Sequence, residues 1–138
     1  MDADGPPPDY ELVPDNGRFT GLIGPFHQKI VDGVRWRGIR LGPRHCNGAG
    51  IVHGGFLMSM ADSLLGHAIG RATRHTPVTM RLTAEFAAIA RAGDWIEGYA
   101  ALDGVEDGNA FGKAELFVDR RRVFAASAVF RLMARHSA

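Results

Sequence analysis

The chain has 138 residues, 46% of them hydrophobic and 22% charged, with a formal net charge of +1. That is enough chain for one domain with a real core and too little for two ordinary ones. It carries no basic excess of the kind that nucleic acid or an anionic membrane calls for. The single cysteine, Cys46, excludes both a disulfide framework and a multi-cysteine zinc site, in keeping with a reducing compartment.

The N-terminus, MDADGPPPDY, is acidic and proline-rich, without the basic and apolar regions of a secretory signal. No apolar run reaches the roughly 18 residues a membrane span needs. These features predict a cytoplasmic protein that engages neither membrane nor nucleic acid. Residues 1–18 read as a flexible or loosely packed tail, and residues 19–138 as the folded domain.

The first strand-like run is Phe26 to Val31. Asp32-Gly33 follows, then Val34 to Leu41, and Asp-Gly between two such runs signals a hairpin. In the second run Val34 and Trp36 alternate with Arg35 and Arg37, the period-2 pattern of a half-buried strand. A glycine-rich loop (GPRHCNGAG) leads into HGGFLMSMADSLLGHAIGRAT. There Phe56, Leu57, Met60, Leu64, Ala68 and Ala72 recur at helical spacing, and Met58, Ala61, Leu65 and Ile69 make much of the other side apolar. A helix of that kind is expected to be buried nearly all round. Strands are expected at 78–89, 95–106, 110–119 and 123–134, joined by short polar breaks as an antiparallel meander. The fold class read from this order is α+β, with one antiparallel sheet wrapped around a long central helix.

The chemistry concentrates between Asn47 and Asp62. Gly54-Gly55 opens the helix, where unpaired N–H groups and a partial positive charge can hold an anion or stabilise a carbonyl oxygen as it becomes tetrahedral. Taken alone, the dipeptide equally suits tight helix packing. Asp62 lies in mid-helix, where burying a carboxylate is costly unless it is paired or used; the plainer reading is a carboxylate facing solvent or a neighbouring chain. Gly54 and Asp62 are eight positions apart, about 12 Å along the axis, so one chain cannot easily bring both to a single carbonyl. Two antiparallel copies of the helix across a twofold axis could, which predicts shared sites in a dimer.

Other candidates carry less. The spacing of His45, His67 and His75 fits no metal motif. Cys46 beside His45, and Ser63 beside Asp62, are adjacent residues that do not face each other as a nucleophile and base must. Arg120-Arg121-Arg122 reads as a solvated turn, and with Arg71, Arg74, Arg81 and Arg91 it is an equal candidate for phosphate contact.

The string N-x-x-G-x-x-H-G-G, with Asp seven positions after the second glycine, resembles the PaaI-like acyl-CoA thioesterases. These belong to the hotdog-fold superfamily that also holds the 4-hydroxybenzoyl-CoA thioesterases. The resemblance spans roughly residues 20–134 in element order and is strongest from Asn47 to Asp62. It implies hydrolysis of an aryl- or medium-chain acyl-CoA. It gives Gly54 the N–H that polarises the thioester carbonyl, and Asp62 the role of general base or nucleophile. Asn47 and Thr79 would orient the water or thioester. His53 and Gly55 would shape the helix entrance around the substrate. It implies a homodimer assembling to a homotetramer, and no cofactor or metal, coenzyme A being part of the substrate. Arg91-Ala92-Gly93-Asp94 resembles a structural turn of the family. The alternative is a hotdog module that binds acyl-CoA without cleaving it, which would leave Asp62 and Asn47 without a use. The motifs of the hotdog dehydratases and hydratases are not found.

Overall fold

The computed structural model describes residues 5–14 and 18–135. Its strands are β1 (Glu11–Leu12), β2 (His27–Val31), β3 (Val34–Arg40), β4 (Thr76–Phe86), β5 (Trp95–Glu106), β6 (Asn109–Val118) and β7 (Arg121–Met133). The helices are α1 (Phe19–Ile23) and α2 (Gly54–Thr73), with a 3-10 turn at Pro43–His45. All seven strands form one sheet in the order β1-β2-β3-β5-β6-β7-β4, every pairing antiparallel. The sheet wraps around α2, as the hotdog reading expects.

Local chemistry explains the tight connections. Asp32-Gly33, Asp107-Gly108 and Asp119-Arg120 all have positive φ, as two-residue hairpin turns matched to strand twist require. The Arg91–Asp94 turn is closed by the Asp94 carboxylate, which accepts the Arg91 N–H at 2.8 Å. The core lies between α2 and the inner faces of the central strands. Leu65, Ile69, Ile96, Leu116 and Phe124 are all fully buried. Helix and sheet approach closely at Gly112, where a Cβ would lie 2.8 Å from the Leu65 side chain and 2.9 Å from the Ala101 carbonyl.

Three expectations need correction. The four strands after the helix are not a simple meander. β5-β6-β7 is one, but β4 crosses to the far edge and pairs with β7, while β5 pairs with β3. Second, α2 is buried along one face rather than all round. Met58 is 40% exposed, and the outward side of the neighbouring β4 shows Val78 and Met80. Third, the described part of the N-terminal segment is docked. Glu11 and Leu12 pair with β2, Val13 N–H donates to Phe26 O at 2.8 Å, and the Tyr10 ring meets Trp95 edge-on at 5.1 Å. The Tyr10 hydroxyl donates to Glu97 at 3.2 Å. Proline content predicted looseness, but aromatic packing and strand pairing outweigh it. Residues 1–4 and 15–17 of the expected tail lie outside the described residues. On β3 the alternation is as read, and the face carrying Arg35 and Arg37 is the inward one. Arg37 is 7% exposed, whereas Val34 is 40% exposed. Trp36 packs with Tyr99 and Phe117, and Ile39, on the same face as Arg37, is in the core.

Candidate active site

The loop before α2 is a miniature hairpin. Asn47 N–H donates to Ile51 O at 2.8 Å and His53 N–H to His45 O at 2.9 Å, while Cys46 bridges Val52. The Asn47 side-chain oxygen accepts the Ala49 N–H at 2.9 Å and the Ile51 N–H at 3.2 Å. That is an Asx-type turn, with the side-chain oxygen accepting backbone N–H groups of its own loop. Asn47 therefore holds the loop that delivers the helix start, and its amide nitrogen makes no hydrogen bond among the described residues.

His53 is the N-cap of α2, and its Nδ1 accepts the Gly55 N–H at 2.8 Å. The Phe56 N–H donates to the His53 carbonyl at 3.0 Å. Of the donors at this helix start, the Gly54 N–H alone meets no acceptor among the described residues. The cap thus leaves one N–H unspent, with the helix's positive end behind it. A Cβ on Gly54 would sit 3.1 Å from the Phe86 ring. Phe86 packs on Phe124 at 5.2 Å and is still 54% exposed. Phe86 was not singled out from the sequence, because β4 and the start of α2 are brought together only by the crossover to the far edge.

Asp62 lies two turns further along α2, half-buried. Its Oδ1 accepts a 2.5 Å hydrogen bond from the Thr79 hydroxyl on β4. No cation among the described residues lies within ion-pair distance of it. A register shift between Thr79 and Arg81 makes this contact possible. Thr79 pairs with Phe130 and Arg81 with Val129, so Met80 is an extra residue in β4. Strand residues alternate faces, so one inserted residue flips the phase. Below the bulge, Leu82, Ala84 and Phe86 oppose the inward Ala128, Ala126 and Phe124; above it, Thr79 opposes the buried Phe130. Without the bulge, strict alternation back from Leu82 would turn Met80 toward α2 and Thr79 out.

The structure thus joins Asp62 to Thr79, and His53 to Gly55 beside Gly54, but leaves the two groups apart on one helix. Among the described residues no cluster of three His, Cys, Asp or Glu is placed to hold a metal, and no helix is long and apolar enough to cross a membrane.

A model of the thioesterase superfamily matches residues 49–125, which contain Gly54, Asp62 and Thr79. The Pseudomonas aeruginosa protein PA0474, provisionally named an esterase, is 37% identical over 120 residues, covering 80% of this chain and 85% of its own. Among solved structures, a phenylacetic acid degradation-related protein from Ralstonia eutropha JMP134 superposes with a TM-score of 0.66 at 25% identity, covering 75% of this chain and 82% of its own. The Streptococcus mutans protein smu.793 bound to acetyl CoA has a TM-score of 0.75 at 13% identity, covering 89% of this chain and all of its own. The last likeness speaks for the fold alone. The family match and the Pseudomonas relative reach the sequence as well, and by them this chain belongs to the thioesterase superfamily, as a hotdog-fold thioester hydrolase.

Proposed function

We propose that the protein hydrolyses aryl- or medium-chain acyl-CoA thioesters at sites shared between two copies of the chain. The observation that carries this reading is the Thr79–Asp62 hydrogen bond. It is a carboxylate on an otherwise apolar helix, held by a hydroxyl and neutralised by no cation among the described residues. A carboxylate so held is oriented yet keeps a free oxygen to take a proton. The unspent Gly54 N–H is the complementary half, a donor aimed where oxyanion charge develops.

Gly54 and Asp62 are about 12 Å apart along one helix, so the reaction needs Asp62 of a second copy opposite Gly54. The exposed edge of β4 and the open side of α2, with Met58, Val78 and Met80 bare, favour a second copy there, related by a twofold axis. In this reading the carbonyl oxygen takes the Gly54 N–H, and the opposing Asp62 draws a proton from water. The water adds to the carbonyl carbon, and the coenzyme thiolate leaves and takes up the proton. Thr79 and the Asn47 amide hold the water; His53 fixes the N–H by capping the helix, and Gly55 lets the substrate approach. Carboxylate, hydroxyl and amide groups supply this chemistry without a cofactor. Assembly to a homotetramer and a cytoplasmic location complete the proposal, and the coenzyme bound to the smu.793 protein supports the substrate class.

The test is thiol release from a panel of aromatic and aliphatic acyl-CoAs. Turnover that vanishes in Asp62→Ala supports the reading. A folded oligomer that binds coenzyme A and releases no thiol from any panel member would replace it with the binding-module reading. Single turnover in ¹⁸O-water tests the nucleophilic role of Asp62: label in the Asp62 carboxylate would mean attack through a mixed anhydride that water opens at the aspartyl carbonyl, whereas general-base catalysis, or an anhydride opened at the acyl carbonyl, puts the label in the product acid alone.

A further inference from the structure

The inward arginines of β3 line a cavity of about 430 Å³ between the C-terminal half of α2 and the β2–β3 hairpin. Thr79 and Asp62 meet on the β4 side of α2, whereas the walls of this cavity come from β2, β3 and β5, at the other end of the strand order. Its charged lining is Arg35, Arg37 and Arg71, and no carboxylate is among its lining residues. Arg35 is partly engaged, donating to Gln28 at 3.0 Å. Arg37 is 93% buried, being 7% exposed, and its guanidinium meets no hydrogen-bond or ion-pair partner among the described residues.

Its nitrogens are not among the buried unpartnered atoms of the described residues, so they open onto the cavity and stay free to meet a ligand there. Its ionisation is disfavoured first by burial and then by Arg71 and Arg35, both of like charge. His67 stands in the same cavity. Its Nδ1–H donates to the Ser63 carbonyl at 2.8 Å, which leaves Nε2 an acceptor. Burial, and beyond it the three arginines, hold the imidazole below its usual range against the opposing pull of that hydrogen bond. No group of the described chain pairs with Arg37, and the strand's pattern of exposed Val34 and inward Arg35 and Arg37 is not what packing alone selects. Such departures from local consistency mark functional positions.

The rest of the wall decides the kind of anion. Leu64, Ala68, Ala100 and Leu102 are aliphatic. A nucleotide or a pantetheine arm would set sugar and amide groups against them unpaired, and inorganic phosphate would fill a small part of the space. An acid with an apolar body satisfies both walls, and the planar guanidinium matches a carboxylate two-pronged. The volume falls within the range of small-molecule sites. We propose that this cavity binds a small organic carboxylate, its oxygens on Arg37 and Arg71 and its apolar body along Leu64, Ala68 and Leu102. The proposal stands on Arg37 and the cavity, independently of the thioesterase reading.

Titration calorimetry and thermal unfolding of the full chain at low ionic strength test it, with octanoate and phenylacetate as probes. Octanamide serves as the uncharged control and inorganic phosphate as the small anion. The acids are expected to bind saturably and raise the unfolding midpoint, with octanamide and phosphate weaker. Arg71→Ala, at an exposed position, and Arg37→Met, which keeps the bulk of the buried side chain, should each weaken binding about tenfold or more. Asp62→Ala should bind the acids as the wild type does, which separates this site from the reacting carboxylate. Absence of saturable binding, equal binding of octanamide, tighter binding of phosphate, loss of binding in Asp62→Ala, or unchanged binding in both arginine variants would each overturn the proposal.

Discussion

The two ends of the sheet treat α2 differently. Under β6 and β7 the helix meets Leu116, Val123, Phe124 and Phe130, none more than 1% exposed. Under β2 and β3 it meets Arg35 and Arg37 across a cavity. One end is packed to exclude everything; the other keeps space and charge. Packing at the first end contributes stability through dispersion and burial, whereas the second gives part of that up. The comparison teaches that the fold is anchored at one end, which frees the other from the need to be a good core.

The sharpest way to break this comparison is at the carboxylate itself. Asp62→Ala should lower turnover by a factor on the order of 10³, with the circular-dichroism spectrum and unfolding midpoint near those of the wild type. At the anchored end, Phe124→Ala should cost about 3–5 kcal/mol in urea unfolding, because both the Phe86 contact and the core seat are lost. Gly54→Ala should lower kcat/KM about ten- to a hundredfold, since the new methyl pushes on Phe86 beside the free N–H; its stability should move little, alanine being the better helix former. Arg37→Met should leave the ligand-free protein as stable or more stable by about 1 kcal/mol, where a comparable cut at the β6–β7 end can only destabilise.

The smallest expected effect is a pH dependence at His45. Its Nδ1 accepts the Gly42 N–H and its Nε2–H donates to Ile23 O, so the neutral ring is satisfied. Burial lowers its pKa from the usual 6.5, with the hydrogen bond to Ile23 pulling the other way. Above pH 6.5 folded and unfolded states are both neutral, and the group adds no pH dependence. As the pH falls through 6.5, the unfolded chain gains a proton that the folded chain resists. Stability should decline from there until the lowered folded value is reached. His45→Asn, which keeps an acceptor near the Gly42 N–H, should flatten that slope in denaturation curves measured at successive pH values.

Much of this was legible in the chain. The apolar helix, the Asp-Gly turns and the strand runs follow from periodicity and φ preference, and all fall within a few residues of the observed elements. His-Gly-Gly at a helix start announces a cap and a close approach. What was not legible depends on contacts distant in sequence. The pairing of β4 with β7 joins segments 51 residues apart at their Thr79–Phe130 register. The bulge at Met80 leaves no mark in composition, so Thr79 was reached through resemblance rather than spacing. Arg37 was hidden for a different reason: alternation gives the two faces of a strand but not which is inside, and ordinary hydrophobic logic chooses the wrong one here. The docking of Tyr10 was masked by the prolines around it.

That docking has a practical corollary. Both tryptophans of the chain sit at the same end of the sheet: Trp95 against Tyr10, and Trp36 against Tyr99 and Phe117. Intrinsic fluorescence therefore watches β3 and β5, while far-ultraviolet ellipticity is weighted by the twenty residues of α2. The native chain carries two built-in reporters, one for the strands beside the arginine end and one for the helix that both ends share. Coincident melting curves would mark a single cooperative unit; a fluorescence change that comes first would measure how much earlier the arginine end loosens.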